Sequence, residues 1–282
     1  MQALDNYIDQ VKTLPPAPRV LAQLLLLLHE DDAHASQIVE LITLDPALTA
    51  KVLQCCNNAA SGLGREVADL HEAVTQMGFN AIYRLVAMVI GEGLLSAEQP
   101  GYGIARGELW EHSVTTAVAA KVIARKLDGG ENLAFTAGLL HDIGKLVIGT
   151  FLEGAQPSVL TKTGPSGLSF LEAEKVILGV EHAEIGGRVL ARWNFPDNLV
   201  SAVWHHHNPA QARPHEQLAA YVHLGDLIAH CLGKAQGYES FALHPRAEAL
   251  QILEISPREM DTLVLETDAA LQQCPGLTRA AS

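Results

Sequence analysis

The sequence predicts an all-α protein, and three features of its 282 residues support this prediction. Apolar residues recur at the three- and four-residue spacing of a helix along almost the whole chain. Clusters of β-branched residues bounded by turns, which mark strands, are scarce. Hydrophobic residues make up 48% of the chain, which is enough to bury a sizeable core. The expected architecture is a helical bundle with little or no sheet.

Local signals mark where individual helices begin and end. Asp45 is predicted to cap a helix whose first residue is Pro46. Ser256 and Glu259, with Pro257 between them, form a predicted capping box at another helix start. Gly78 follows a segment of helical spacing and is the predicted stop of that helix.

Glycine- and proline-rich segments divide the chain. Long loops are predicted at 59–69 and 153–167, and a softer boundary at 97–107. That boundary separates a predicted N-terminal helical lobe, residues 1–100, from a histidine-rich part, residues 101–282, within one continuous unit. The lobe contains only three of the 13 histidines: His29, His34 and His71.

Charge and cysteine content limit the function. With 19 Lys and Arg against 32 Asp and Glu, the formal charge is −13. An acidic surface repels phosphate backbones, so broad nucleic-acid binding is not expected, although a local pocket for one small phosphate ligand is compatible with it. The four cysteines form no CxxC pair, and the first residues lack a basic signal-peptide region. The leucine run 24–28 is too short to span a bilayer. We therefore expect a cytoplasmic protein with reduced core thiols and no membrane association.

The strongest chemical signal is His141-Asp142, at the predicted end of an apolar helix and followed by Gly144 and Lys145. Imidazole and carboxylate together suit a divalent metal ion. A His-Asp pair is a short motif that also arises by chance, so the prediction depends on partners elsewhere in the chain.

Such partners occur on both sides of the pair. Glu108 and His112 are four residues apart, which places them on one helical face. His182 opens a predicted helix. The histidine run 205–207 precedes Pro209, and its position relative to the proline favours two of its three histidines as metal ligands. Those two are His206 and His207.

Asp226 is the most informative single residue, because its neighbours predict a buried apolar helix. A lone buried carboxylate costs several kcal/mol unless it is paired or binds a cation, and no Lys or Arg lies within one turn. Asp142 poses the same problem. A shared divalent ion would resolve both; the alternative is a polar cluster held by hydrogen bonds alone.

The order His, His-Asp, Asp resembles the HD superfamily of metal-dependent phosphohydrolases, and within it the chain most resembles HDOD domains, output domains of bacterial signalling proteins. The resemblance covers nearly the whole chain. The motifs that carry it are Leu14-Pro15-Pro16-Ala17-Pro18, Leu44 to Thr49 with Asn57, His71 to Gly78, His206-His207 with Pro209, and Leu224-Gly225-Asp226.

The resemblance implies a site. By similarity to the related HD-GYP phosphodiesterases, eight residues would hold one to three ions of Fe, Mn, Zn or Ni. They are Glu108, His112, His141, Asp142, His182, His206, His207 and Asp226. Asp142 and Lys145 would be the catalytic pair, with Lys145, or Arg213 if it folds inward, facing a substrate phosphate. Glu111 and Glu181 would accept hydrogen bonds from the ligand histidines, and His223 could support Asp226. The DGxGYP segment of HD-GYP domains is absent, and Asn208-Pro209-Ala210 stands in its place.

Three functions remain open. The first is a signal-transduction output module that retains a metal centre and acts by binding a signalling protein or a small phosphate ligand. The second is an active phosphohydrolase on a nucleotide or another phosphate ester. The third is a structural domain with a vestigial site. We rank them in that order, because the family resemblance is to HDOD domains and the ligand residues are present as a set.

Overall fold

The computed structural model describes residues 18–27, 34–57, 67, 69–152, 170–237 and 246–272, and within these ranges the chain is helical with no strand, as predicted. Two short 3-10 helices cover Pro100–Tyr102 and Pro209–Gln211. The α-helices are α1 (Arg19–Leu27), α2 (Ala35–Thr43), α3 (Pro46–Cys56), α4 (Leu70–Met77), α5 (Phe79–Leu95), α6 (Glu108–Lys126), α7 (Glu131–Leu140), α8 (Lys145–Leu152), α9 (Phe170–Leu178), α10 (His182–Arg192), α11 (Asp197–Trp204), α12 (Glu216–Cys231), α13 (Ala247–Ile252) and α14 (Pro257–Gln272).

The predicted helix boundaries are confirmed. The Asp45 carboxylate accepts hydrogen bonds from the first-turn amides of α3, which begins at Pro46. Gly78 ends α4 with φ of 77°, a backbone conformation that favours glycine. The Ser256 amide donates to Glu259 Oε2 at 2.9 Å, and the Glu259 amide donates to Ser256 Oγ at 3.3 Å. The loops predicted at 59–69 and 153–167 lie outside the described residues, apart from positions 67 and 69.

The N-terminal helices α1 to α5 enclose an apolar core, represented by Leu24, Ile42 and Ile82, each fully buried. Helix α5 also packs on α6 and α7 of the histidine-rich part. Within the described ranges no helix alone has the length and apolarity to cross a membrane; α4 and α5 pass that test only as a pair, and they meet at a bend of 119°. The core thiols expected from the sequence include Cys56, but Cys231 is exposed.

Helix α6 is the centre of the histidine-rich part, with α7 and α12 packed directly against it. Two glycines permit this approach. A Cβ on Gly138 of α7 would lie 2.8 Å from the Ala117 Cα, and one on Gly225 of α12 would lie 2.8 Å from the Thr116 oxygen. Side chains at the end of α7, early in α6 and midway along α12 are therefore brought to one place.

Candidate metal centre

Three buried histidines each place Nδ1 against a backbone carbonyl oxygen. His112 on α6 places Nδ1 2.8 Å from the Lys234 carbonyl oxygen. His141 and His206 each place Nδ1 2.7 Å from the carbonyl oxygen three residues earlier, at the ends of α7 and α11. A carbonyl oxygen only accepts, so each Nδ1 carries the proton. In the neutral ring Nε2 is then a bare acceptor, the form that binds a metal.

His182, the first residue of α10, is held by a carboxylate. Its Nδ1 lies 3.0 Å from both oxygens of Glu174 on α9, and its backbone amide donates to Glu174 Oε2 at 2.9 Å. Tyr102 donates to Glu174 Oε1 at 2.6 Å. Burial lowers the pKa of His182, but the Glu174 charge and the hydrogen bonds to Asp142 and Glu174 together raise it more, so the pKa lies well above its ordinary value. A carboxylate behind a histidine is the usual support of a metal-binding imidazole.

Asp142 lies between two groups of these histidines. Its Oδ2 is 3.3 Å from His141 Nε2 and 3.8 Å from His112 Nε2. Its Oδ1 is 3.2 Å from His182 Nε2 and 4.0 Å from His206 Nε2. If ions were bound beside both histidine groups, each oxygen of Asp142 would be available to one of them.

Distances between ring nitrogens fit ligands of a common ion. Nε2 of His112 lies 3.3 Å from Nε2 of His141, and Nε2 of His207 lies 3.0 Å from Nε2 of His182. In neutral His112 and His141 rings the two bare Nε2 acceptors would repel each other at this distance. Two nitrogen ligands about 2.1 Å from one ion lie about 3.0 to 3.4 Å apart, so a cation would account for the spacing.

Unsatisfied atoms point to the same place. Asp142 Oδ1, Asp226 Oδ1 and His206 Nε2 are buried and have no hydrogen-bond partner. A buried polar atom without a partner costs free energy, and most such atoms in proteins are satisfied. Three groups of ligand atoms within 4.8 Å of one another occur in the described part of the chain, and all lie here. They are His112, His141 and Asp142; His182, His206 and His207; and His112, Asp226 and His230. These nitrogen and oxygen donors fit a divalent transition-metal ion.

Asp226 shares a neighbour with Asp142. Its Oδ1 lies 3.2 Å from His112 Nε2 and 3.4 Å from His230 Nε2. Burial raises the pKa of Asp226, but the neighbouring His112 and His230 rings together lower it more, and it lies well below its ordinary value. The sequence analysis gave His230 no role, although its position four residues after Asp226 on one helix was a usable signal.

Lys145 lies against the Asp142 carboxylate. It is 1% exposed, and its Nζ donates to Asp142 Oδ2 at 2.6 Å. Burial raises the pKa of Asp142, but the charges of His141 and Lys145 lower it more, so the carboxyl pKa lies well below its usual range. In this arrangement the Lys145 ammonium neutralises the charge of the Asp142 carboxylate.

Two predicted site residues are not brought to the centre. Glu108 is exposed and accepts a hydrogen bond from the Ala105 amide at 2.8 Å, which satisfies the start of α6. Arg213 is also exposed and does not fold inward. In the triplet, His205 stacks on Trp204, whereas His206 and His207 belong to one ligand group.

The predicted supporting carboxylates are also placed differently. Glu181 pairs with Lys175 at 2.9 Å, and Glu174, which the sequence analysis did not single out, holds His182 instead. Glu111 pairs with the side chain of Lys234, whose carbonyl accepts from His112. His223 supports His206 by placing Nδ1 2.8 Å from the His206 carbonyl oxygen.

Comparison with known proteins agrees with the fold. The HDOD domain family model matches residues 14–209. An uncharacterized protein of Treponema pallidum is 28% identical over 245 residues, which cover 82% of this chain and 45% of that protein. The chain spans less than half the length of the curated relatives that it matches.

Two solved structures share the fold over almost their whole length. An HDOD domain protein of unknown function from Geobacter sulfurreducens has a TM-score of 0.75 at 22% identity, covering 99% of this chain and 97% of that one. A predicted phosphohydrolase from Shewanella amazonensis has a TM-score of 0.73 at 23% identity, covering 98% of each chain. The family model spans well over half of the sequence, and the chain therefore belongs to the HDOD family.

Proposed function

We propose that this protein is a cytoplasmic signal-transduction output module of the HDOD type that retains a divalent metal centre of Fe, Mn, Zn or Ni. One observation carries the proposal. Four buried histidines have Nδ1 fixed by a carbonyl or carboxylate, and their Nε2 atoms surround the bridging carboxylate of Asp142. This is a complete set of oriented ligands rather than a remnant, because supporting contacts as well as ligands are present.

A binding role is favoured over catalysis by the surroundings of the centre. Lys145 is committed to Asp142, and Arg213 lies at the surface. The ligands His112, His141, Asp142, His182 and His206 are at most 1% exposed, so a phosphate ester has little access to them. In this proposal the ions stabilise the fold or change its conformation, and a partner binds the surface of the protein.

We propose that a signalling partner binds the N-terminal lobe, residues 1–100. Through this lobe the partner would act on the histidine-rich part, residues 101–282. Leu26 on α1 and Leu44 after α2 expose 51% and 73% of their surface and line one groove with Leu41. Exposed leucines of this kind suit a protein partner. Leu26→Asp with Leu44→Asp is expected to abolish binding of a signalling partner without changing the metal content.

The test compares metal content with hydrolysis. We expect purified protein to contain stoichiometric metal by elemental analysis and to leave bis-p-nitrophenyl phosphate intact. A protein that binds no metal after reconstitution with Fe, Mn, Zn or Ni would refute the centre. Hydrolysis that disappears in His141→Ala and Asp142→Ala would refute the purely regulatory role.

A second candidate, a metal-dependent phosphohydrolase, is favoured by one observation: the two oxygens of Asp142 face separate histidine groups. Two bridged cations would supply a water of lowered pKa and polarise phosphoryl oxygens. For this activity Lys145 would have to move from Asp142 to the charge developing on a phosphate, and access would have to open. The same hydrolysis assay distinguishes the two candidates.

A further inference from the structure

Gln236 is a buried amide at the edge of the metal centre that no role described above uses. It is 1% exposed, and its Nε2 donates to Asp142 Oδ2 at 2.5 Å. Its other polar atom, Oε1, is buried and has no hydrogen-bond partner. An amide oxygen in that state needs a proton donor or a cation.

The segment that carries Gln236 is attached to the centre at two points. Two residues before it, the Lys234 carbonyl accepts from His112 Nδ1 at 2.8 Å. The Lys234 side chain reaches Glu111 on α6 at 3.1 Å. The backbone here therefore orients one ligand while the Gln236 side chain contacts another, so the amide is held against the centre rather than resting there by chance.

The chemistry of a carboxamide limits what Oε1 can meet. Its N–H and C=O groups lie side by side in one plane. With the N–H on a ligand oxygen, the C=O lies beside that contact, and neighbouring ligands of one ion are only about 3 Å apart. A water on the ion next to Asp142 would supply the missing donor, since metal-bound water is a strong one.

We propose that Gln236 is a positioning residue that holds a metal-bound water beside Asp142, with Nε2 on the carboxylate and Oε1 accepting from the water. This inference rests on the proposed metal centre. It gives the Gln236 amide two tasks, to fix a ligand and to select water over an anion at the adjacent position, because Oε1 repels any group that cannot donate.

The test uses Co²⁺ as the metal and azide as a competing anion, both followed by the electronic spectrum. Gln236→Leu is expected to weaken Co²⁺ binding about 10-fold, the usual result of losing a contact to a ligand. It is also expected to tighten azide binding to the Co²⁺ protein several-fold, because the repelling oxygen is gone. A purely structural role would weaken Co²⁺ binding without tightening azide binding.

A matched control is Gln99→Leu, which removes another buried glutamine, one whose amide donates to the Ala97 carbonyl rather than to a ligand. This control variant should change neither the Co²⁺ affinity nor the azide affinity. If Gln236→Leu does not fold, Gln236→Asn retracts the amide by one methylene and is expected to show the same pair of changes. Azide binding that is unchanged or weaker in the Gln236 variant would overturn the inference. Wild-type protein that takes up no Co²⁺ would instead refute the metal centre itself.

Discussion

The N-terminal lobe and the histidine-rich part are built from the same kind of helix but bury different chemistry. Every buried polar or charged side chain in the described ranges lies at position 99 or later. In the described part of the lobe before Gln99, the buried side chains are apolar, apart from the Tyr83 hydroxyl, which is bonded to Thr136 of α7 at 2.6 Å. The lobe gains stability by burying apolar side chains. The histidine-rich part gives up some of that stability, because it buries polar side chains that are candidate metal ligands.

The largest effect should come from Asp142→Ala, because this carboxylate faces both histidine groups. We expect the variant to lose all bound metal, as measured by elemental analysis after dialysis. The variant also removes the carboxylate beside the buried Lys145 ammonium, so a lower free energy of unfolding is expected, and circular dichroism checks that the assayed sample is folded. Retention of full metal content would contradict the bridging role.

The lobe should respond in the opposite way. Ile82 on α5 is fully buried, and Ile82→Ala is expected to lower the free energy of unfolding by about 2–5 kcal/mol. Urea denaturation measures this loss, and elemental analysis of the folded variant should show wild-type metal content. A loss of metal at temperatures where the variant is folded would show that the two parts are coupled.

Glu174→Gln should weaken metal binding by about 10- to 100-fold, because His182 loses the carboxylate that fixes its ring. Chelator competition measures the constant. Glu172→Gln, two residues earlier and exposed, is the matched control and should bind metal as the wild type does. Equal metal affinities of the two variants would mean that Glu174 does not support metal binding.

Acid should destabilise the metal-free protein through its buried histidines. Burial lowers the pKa of His206, His207 and His223, so as the pH falls through about 6.5 the unfolded chain takes up protons that the folded chain does not. Each such histidine removes up to about 1.4 kcal/mol of stability per pH unit. The raised pKa of His182 acts in the opposite direction and offsets one of them.

Urea unfolding at about pH 7.5 and 5.5 measures this slope. His223→Gln should make this slope shallower, because one of the histidines whose pKa burial lowers is removed. Stability that stays level or rises as the pH falls would mean that the histidines are charged in the folded protein.

The smallest effect should be that of Glu108→Ala. The side chain is exposed and bonds only the start of its own helix, so stability should change by less than about 0.5 kcal/mol. Metal affinity by chelator competition should be unchanged. A clear loss of affinity would restore Glu108 to the ligand set from which the structure removes it.

The sequence was sufficient for the fold and for much of the site, and the reason differs from residue to residue. Asp45, Gly78 and Ser256 act through their own backbone neighbours, so local rules find them. Asp142 and Asp226 stand out because a carboxylate in an apolar helix is costly wherever the helix packs. These signals do not depend on knowing the fold.

What the sequence could not show depends on contacts between distant segments. Glu172 and Glu174 look alike in the chain, yet only Glu174 turns inward to His182, since α9 must first pack for the two to differ. Gln236 follows α12 in a short polar segment and meets Asp142 across 94 positions of sequence. Lys145 was expected to face a substrate, but a buried ammonium takes the nearest carboxylate.

Anomalous X-ray diffraction from crystals of the metal-loaded protein tests the central claim most directly, because it locates the ions. The account predicts two peaks on either side of the Asp142 carboxylate, about 3.5–4 Å apart, one beside His112 and His141 and the other beside His182, His206 and His207. Crystals of loaded protein with no peak within coordination distance of Asp142 would contradict it.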